Sequence, residues 1–281
     1  MHTKQTNFVQ RLVSVVLFTP VIVFALFWSY WTYFLLFFYV LMLSMLEFYK
    51  LLKRANFSPM REYGVWLGLL FYTITFSYYL QEHFSPMVPY LCIPLALLTY
   101  ILALYRRSHS NPFGDIAVTF LGIVYIAVPF GILHYLAFFK GPYSYELILG
   151  LLLIVWGQDV GAYLVGSTIG RTNLFKRISP KKTWEGWFGG ACTALISSYV
   201  VASFFTILPT WQWVGIAVIT MLTGTYGDLV ASFLKRSVDA KNSSERIPGH
   251  GGLLDRVDSL LFTIPVVVAF LEIISLCRLS H

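Results

Sequence analysis

Nine stretches of apolar residues, each close to the width of a lipid bilayer when helical, recur along this chain of 281 residues. A membrane-spanning helix needs about 20 mostly apolar residues. Only 12% of the residues are charged, whereas soluble domains carry roughly 25%. We therefore predict an all-α polytopic integral membrane protein with about nine transmembrane helices, near residues 12–28, 31–48, 65–81, 88–105, 116–137, 147–165, 185–207, 213–233 and 259–277.

Lysine and arginine residues fall on alternate connections between these segments. Eighteen of the 20 lie on one predicted side of the membrane, and only Lys140 and Arg278 lie on the other. Because cytoplasmic loops are enriched in basic residues, this bias predicts a cytoplasmic N-terminus and an external C-terminus. We also predict that the membrane is a bacterial inner (cytoplasmic) membrane, with the basic loops facing the cytoplasm.

The polar residues divide the chain into two predicted parts. Residues 1–145 contain the first five helices, and residues 146–281 contain the last four with two basic loops rich in glycine, serine and threonine. Glycines expose backbone N–H groups and basic side chains supply countercharge, a combination that binds phosphate groups. The second part is therefore predicted to be catalytic. Basic residues set among membrane helices argue against a nucleic-acid partner.

Five acidic residues lie inside or at the edge of predicted helices. A carboxylate at that depth costs at least about 2.5–3.5 kcal/mol unless a cation compensates it. The five are Asp159, Glu185, Asp228, Asp255 and Asp258. For Asp159 and Glu185 the alternative is a structural role, namely pairing with a lysine of the loop 171–182. Glu47 and Glu272, at helix ends, are expected to be interfacial.

The remaining acids are arranged as a cation site would require. Asp255 and Asp258 are three residues apart and share a helix face, and Asp228 follows Gly227, which permits close approach of a polar group. Three neighbouring carboxylates would repel one another without a cation. Magnesium fits, because it takes one or two carboxylates plus substrate phosphates. The three carboxylates Asp228, Asp255 and Asp258 therefore predict a Mg²⁺ site with room for a second cation.

Two motifs in the second half of the chain resemble a known family. The stretch SFLKRSVDAKNSSERIPGHGGLLDRVD, residues 232–258, is similar to the signature of phosphatidate cytidylyltransferases, also called CDP-diacylglycerol synthases. The stretches DVGAYLVG (159–166) and ISPKKTWEG (178–186) resemble that family's second hallmark. The resemblance is dense over residues 156–265.

The resemblance implies an activity and a set of residues. The activity is magnesium-dependent transfer of a cytidylyl group from CTP to phosphatidate, which gives CDP-diacylglycerol and pyrophosphate for phospholipid biosynthesis. The family's metal-binding aspartates fall on Asp228 and Asp255. The residues that match its nucleotide-side motif are Ser179, Lys181, Lys182 and Thr183.

Our hypothesis is direct displacement at the inner leaflet, in which positioning and charge neutralisation carry the reaction. Basic side chains would clamp the phosphates, and Lys181 and Lys182 would stabilise the departing pyrophosphate. His250, flanked by glycines, either donates to a phosphate or caps the last helix. The predicted catalytic residues are Asp228, Asp255, Lys235, Arg236, Lys241 and Arg256, and the predicted substrate-binding residues are Ser179, Lys181, Lys182, Thr183, Asp159, His250 and Asp258.

Two positions depart from the family pattern. Asn242 stands where the family usually has an acid, and Ala231 where it usually has a glutamate. The alternatives are therefore a divergent relative that acts on another lipid phosphate, such as a polyprenyl phosphate, or a catalytically silent membrane scaffold. A transporter is less favoured, because the acids lie near one membrane face and the halves show no repeat. Wide aromatic, lipid-facing surfaces leave room for a homodimer.

Overall fold

The structure is a computed structural model, and it describes residues 19–80, 92–106, 111–238, 240 and 252–279. Within these ranges, each of the nine predicted apolar segments contains one helix. The bounds are α1 (Thr19–Trp28), α2 (Tyr30–Leu52), α3 (Arg61–Leu80), α4 (Cys92–Leu104), α5 (Pro112–Ala137), α6 (Glu146–Ile169), α7 (Trp184–Phe204), α8 (Thr210–Ser237) and α9 (Leu254–Leu279). A 3-10 turn, Lys53–Ala55, follows α2, and α5 contains a π-helical turn at Ile123–Ala127.

Six of the described helices, α2 and α5 to α9, are long and apolar enough to cross a membrane. The helices α1 and α4 are apolar but shorter, and residues 12–18 and 88–91 of their predicted segments lie outside the described residues. The prediction of a helical integral membrane protein is confirmed. The count of nine crossings and the orientation of the N-terminus stay predictions.

One region is not helical and was not anticipated. Residues 173–183 form an antiparallel hairpin of β1 (Asn173–Phe175) and β2 (Ser179–Thr183), with Asn173 opposite Thr183 and Phe175 opposite Ser179. The chain remains all-α in class, and this short hairpin is a feature that the sequence did not predict. Its sequence is basic and contains a proline, so it lacks the alternation of apolar and polar residues by which a strand is usually recognised.

Side-chain caps fix where two of the helices begin. The Asn111 side chain accepts a hydrogen bond from the Gly114 N–H (2.9 Å) at the start of α5. The Thr183 hydroxyl accepts one from the Gly186 N–H (3.1 Å) at the start of α7. Such caps satisfy N–H groups that the first turn of a helix leaves unpaired. Because Thr183 is also the last residue of β2, this cap joins the hairpin directly to α7.

The chain divides into two compact units. Unit 1 comprises Met1–His134 and Ser237–Arg256, and unit 2 comprises Tyr135–Arg236 and Val257–His281. In unit 1 a buried histidine organises an aromatic core: His134 Nε2 lies 3.2 Å from the Tyr72 carbonyl oxygen, and Nδ1 lies 2.9 Å from the Tyr33 hydroxyl. A carbonyl oxygen only accepts, so Nε2 carries the proton and Nδ1 accepts from Tyr33. His134 is thus a core residue with both ring nitrogens paired.

Unit 1 also contains a buried carboxylate, Glu47 on α2, which is only 1% exposed. The backbone N–H of Leu254, the first residue of α9, donates to Glu47 Oε2 at 3.0 Å. Whether Glu47 lies at the depth of the membrane interface stays a prediction. A carboxylate at a helix N-terminus satisfies an unpaired N–H and interacts favourably with the helix dipole. Glu47 caps the last helix of the protein.

Replacing Glu47 with leucine is expected to destabilise the protein by about 1–3 kcal/mol, because the buried Leu254 N–H loses its acceptor. Glu47→Gln is the matched control, since glutamine keeps an oxygen that can accept the same hydrogen bond and should lose less. Thermal unfolding of the two variants in detergent would measure the difference. Equal losses of stability in the two variants would show that the Glu47 cap contributes little to folding.

In unit 2, small residues allow α6 and α7 to pack closely. A Cβ added to Gly161 would lie 2.8 Å from the carbonyl oxygen of Gly189. Across the same interface, the Thr193 hydroxyl donates to the Gly157 carbonyl oxygen at 2.8 Å. Membrane helices commonly associate through such small residues and interhelical hydrogen bonds. This packing holds α7, and with it the hairpin that precedes α7.

Candidate active site

The main feature of unit 2 is an ion pair between the hairpin and α8. The Lys182 ammonium lies 2.6 Å from Asp228 Oδ2, and the two side chains are 27% and 38% exposed. The Ser232 hydroxyl, one turn further along α8, lies 3.3 Å from Asp228 Oδ1. The predicted metal ligand Asp228 and the predicted nucleotide-side residue Lys182 are thus brought together at one site.

Gly227 allows α9 to pass close to this site. A Cβ at Gly227 would lie 2.6 Å from the carbonyl oxygen of Asp258 and 3.0 Å from the Cα of Ser259. The close approach of a polar group that the Gly227–Asp228 pair predicted is confirmed, and the group is the Asp258 backbone carbonyl. Asp258 itself is buried, with 5% of its surface exposed, and its Oδ1 accepts from the Ser259 N–H at 2.7 Å.

Glu185 clamps the base of the hairpin. Its two carboxylate oxygens accept the backbone N–H groups of Arg171 and Thr172 at 3.1 Å. The Trp184 N–H also donates to the Thr172 carbonyl oxygen at 2.9 Å. The alternative that Glu185 pairs with a lysine of the loop 171–182 is therefore replaced by pairing with that loop's backbone. The clamp fixes the residues just before β1 to the first turn of α7.

The start of α9 carries the second predicted metal ligand and belongs to unit 1. Asp255 is half-buried, and its Oδ2 accepts the Gly252 N–H at 3.2 Å. Arg256, the next residue, is exposed. Asp255 and Asp228 fall in different units, so their convergence on one ion stays a prediction.

The other predicted site residues are placed as follows. Ser179 begins β2 and is half-buried, whereas Lys181 on the same strand is exposed. Asp159 lies on α6 with its side chain exposed. Lys235 and Arg236 lie in the last turn of α8, where basic side chains complement the partial negative charge of a helix C-terminus. Lys241 and His250 lie outside the described residues, as does Asn242.

The donor atoms at Asp228 fit a hard divalent cation that is shared with substrate. Within the described residues, no group of three or more histidine, cysteine, aspartate or glutamate side chains could hold a metal ion alone. Magnesium does not need one, because it takes one or two carboxylates and completes its coordination with water and phosphate oxygens. Asp228 already binds a cationic group, the Lys182 ammonium, at 2.6 Å. Its carboxylate is therefore accessible to positive charge.

Three contacts were not predicted from the sequence: those of the Ser232 hydroxyl with Asp228, of the Glu185 carboxylate with the backbone before the hairpin, and of the Thr183 hydroxyl with Gly186. Hydroxyl residues beside glycines indicated only a general phosphate-binding loop. Ala231, where the family usually has a glutamate, is 2% exposed. A glutamate at this position would have introduced a buried carboxylate close to Asp228 along α8.

These observations define a helical integral membrane protein in which a lysine of a basic hairpin pairs with an aspartate of a membrane helix. The chain belongs to the cytidylyltransferase family, whose model matches residues 9–274. The family resemblance stated from the two motifs is thereby confirmed.

Curated relatives agree with this assignment. A phosphatidate cytidylyltransferase of Staphylococcus aureus (strain COL) is 36% identical over 194 residues, which cover 67% of this chain and 72% of the relative. One of Bacillus subtilis (strain 168) is 34% identical over 218 residues, covering 75% and 77%. One of Staphylococcus haemolyticus (strain JCSC1435) is 35% identical over 176 residues, covering 62% and 66%.

Proposed function

We propose that this protein is a phosphatidate cytidylyltransferase, which transfers a cytidylyl group from CTP to phosphatidate in phospholipid biosynthesis. The observation that carries the proposal is the family match over residues 9–274, together with phosphatidate cytidylyltransferases among its relatives. The Lys182–Asp228 pair in unit 2 adds support, because it offers both an acid for a cation and a base for phosphate.

The reaction forms one phosphorus–oxygen bond and breaks another. An oxygen of the phosphatidate phosphate attacks the α-phosphorus of CTP. The bond from the α-phosphorus to the oxygen bridging it to the β-phosphorus breaks, and pyrophosphate leaves with that electron pair. No proton has to be removed from the attacking phosphate, which is already ionised. The protein therefore contributes position and charge neutralisation rather than general base catalysis.

Each residue's part in this proposal follows from its charge and place. Asp228 and Asp255 would hold magnesium, with Asp258 close to the same segment of α8. Bound Mg²⁺ supplies charge that reduces repulsion between the two anionic substrates. Lys181 and Lys182 would neutralise the leaving pyrophosphate. Lys235, Arg236, Lys241 and Arg256 would bind the phosphates of CTP and lipid, with further contributions from Ser179, Thr183, Asp159 and His250.

The nine-helix topology is part of the proposal and makes a prediction of its own. If basic loops face the cytoplasm, green fluorescent protein fused after residue 55 or residue 177 should fluoresce, and a fusion after residue 140 should not. Alkaline phosphatase at the same positions should give the inverse pattern. Fluorescence from the residue 140 fusion would overturn the cytoplasmic N-terminus, and with it the placement of the site on the inner face of a bacterial cytoplasmic membrane.

The activity is tested on purified full-length protein in lipid nanodiscs, with magnesium, CTP and phosphatidate. Pyrophosphate release and CDP-lipid are measured together, and the expected result is equal amounts of both. A panel of lipid phosphates and of all four nucleoside triphosphates establishes the preference. Turnover with polyprenyl phosphate alone would indicate the divergent relative, and silence beside an active control would indicate the scaffold. Mass measurement of the same sample reports whether the protein is a homodimer.

A further inference from the structure

We infer that Lys182 is a resident counter-cation at Asp228, which a divalent ion must displace before it can bind there. The displaced ammonium then becomes available to the anionic substrate. The inference depends on the proposed function, because it assigns a regulated cation exchange to the same site. It concerns this chain's own side chains, and it can be tested without turnover.

Lys182 is the lysine of β2 that faces the acid, because its ammonium lies 2.6 Å from Asp228 Oδ2. Lys182 is half-buried beside Asp228, whereas Lys181 is exposed. The pairing is thus specific to one of two adjacent lysines, and the other provides a control of the same charge on the same strand.

The backbone that carries Lys182 is fixed close to the site. Thr183, the next residue, caps α7 through the Gly186 N–H, and the Glu185 carboxylate holds the N–H groups of Arg171 and Thr172. The Lys182 side chain, by contrast, is a flexible four-carbon chain that ends in a compact positive charge. Exchange therefore requires only rotation of the Lys182 side chain, with the hairpin staying in place.

Simultaneous occupancy of Asp228 by both cations is disfavoured. The ammonium already lies 2.6 Å from Oδ2, and a magnesium ion binds a carboxylate oxygen at about 2.0–2.1 Å. Like charges that close repel strongly. Because the ion pair is partly exposed, breaking it costs little, and the ammonium can instead form a charge-assisted hydrogen bond to a phosphate oxygen.

The first test is metal affinity in the absence of substrates. Mn²⁺ replaces Mg²⁺ as the probe, and the free ion is followed by electron paramagnetic resonance on full-length protein in nanodiscs. Removing a partly exposed competing ion pair should tighten binding in Lys182→Met by about two- to fivefold. Lys181→Met should change the affinity by less. Equal affinities in wild type and Lys182→Met, or equal tightening in both variants, would overturn the inference.

The second test uses the wild-type chain and does not depend on a variant that folds. The rate of acetylation of each lysine by a water-soluble reagent is measured by mass spectrometry, with and without saturating Mn²⁺. Lys182 should react faster by about two- to fivefold when the ion is bound, and Lys181 should be unchanged. Unchanged Lys182 reactivity at saturation contradicts the exchange.

A third variant separates this inference from the proposed function. Asp228→Asn should lose Mn²⁺ binding at this site and show high Lys182 reactivity at every metal concentration. If Asp228→Asn binds Mn²⁺ as wild type does, the metal assignment is wrong and the exchange falls with it. If wild type exchanges as described but makes no CDP-lipid, the proposed function fails while the inference about Lys182 stands.

Discussion

Asp228→Asn is expected to lower kcat/KM for CDP-lipid formation by at least about a hundredfold. Asparagine keeps the shape of the side chain and an oxygen near the Ser232 hydroxyl, but it removes the charge that holds a cation. Losing a residue that merely supports a metal ligand commonly costs about 10–100-fold, so losing a ligand should cost more. Release of pyrophosphate from CTP, measured in nanodiscs, reports the effect.

The control for this experiment is Glu272→Gln. Glu272 is an exposed acid in the last part of α9, and its replacement removes one negative charge without touching the site. Its activity should stay near that of wild type. Turnover by Asp228→Asn at a near-normal rate would exclude Asp228 as a metal ligand, whatever the behaviour of the control.

Gly227→Ala is expected to destabilise unit 2 and to reduce activity with it. The new methyl group would lie 2.6 Å from the Asp258 carbonyl oxygen and 3.0 Å from the Ser259 Cα. Both atoms are backbone, so the clash can be relieved only by moving one helix away from the other. Overpacking of this kind typically costs about 1–3 kcal/mol, which should appear as a lower temperature of unfolding in detergent.

Gly224→Ala is the matched control, one turn earlier on α8. A Cβ there would meet its nearest neighbour, Gln158 Oε1, at 3.5 Å, which is an ordinary contact. Replacing glycine with alanine also stabilises a helix by roughly 1 kcal/mol at either position. This gain is the same in both variants, so it cancels when their stabilities are compared. Gly224→Ala should be neutral or slightly stabilising. Equal stability of the two variants would mean that α8 and α9 are not closely packed at Gly227.

Sequence reasoning predicted the helices well, because a span of apolar residues can satisfy its backbone in a membrane in few other ways. Each of the nine apolar segments contains a described helix, and the bounds of most differ by a few residues. The hairpin at 173–183 was not predicted. Its strands are held by the Glu185 clamp and the Thr183 cap, whose effect depends on geometry that residue types alone do not specify.

The sequence predicted which residues belong to the candidate site, but not which of them contact each other. Asp228 and Lys182 were both predicted to belong to the site, but Asp228 as a ligand of a metal ion and Lys182 as a partner of the departing pyrophosphate. Their direct contact depends on how β2 lies against α8. Its pairing with β1 is irregular, so residue spacing does not specify that Lys182 rather than Lys181 meets Asp228. The Glu47 cap was not predicted for a related reason, since its partner Leu254 lies 207 residues away in the sequence.

That distance has a consequence for how the chain is assembled. Glu47 is synthesised long before the Leu254 N–H exists, so its carboxylate lacks this donor while the six intervening helices are made. Completion of α9 is thus a late step in forming this contact, and a chain cut short before α9 would lack the backbone donor that Leu254 gives to Glu47.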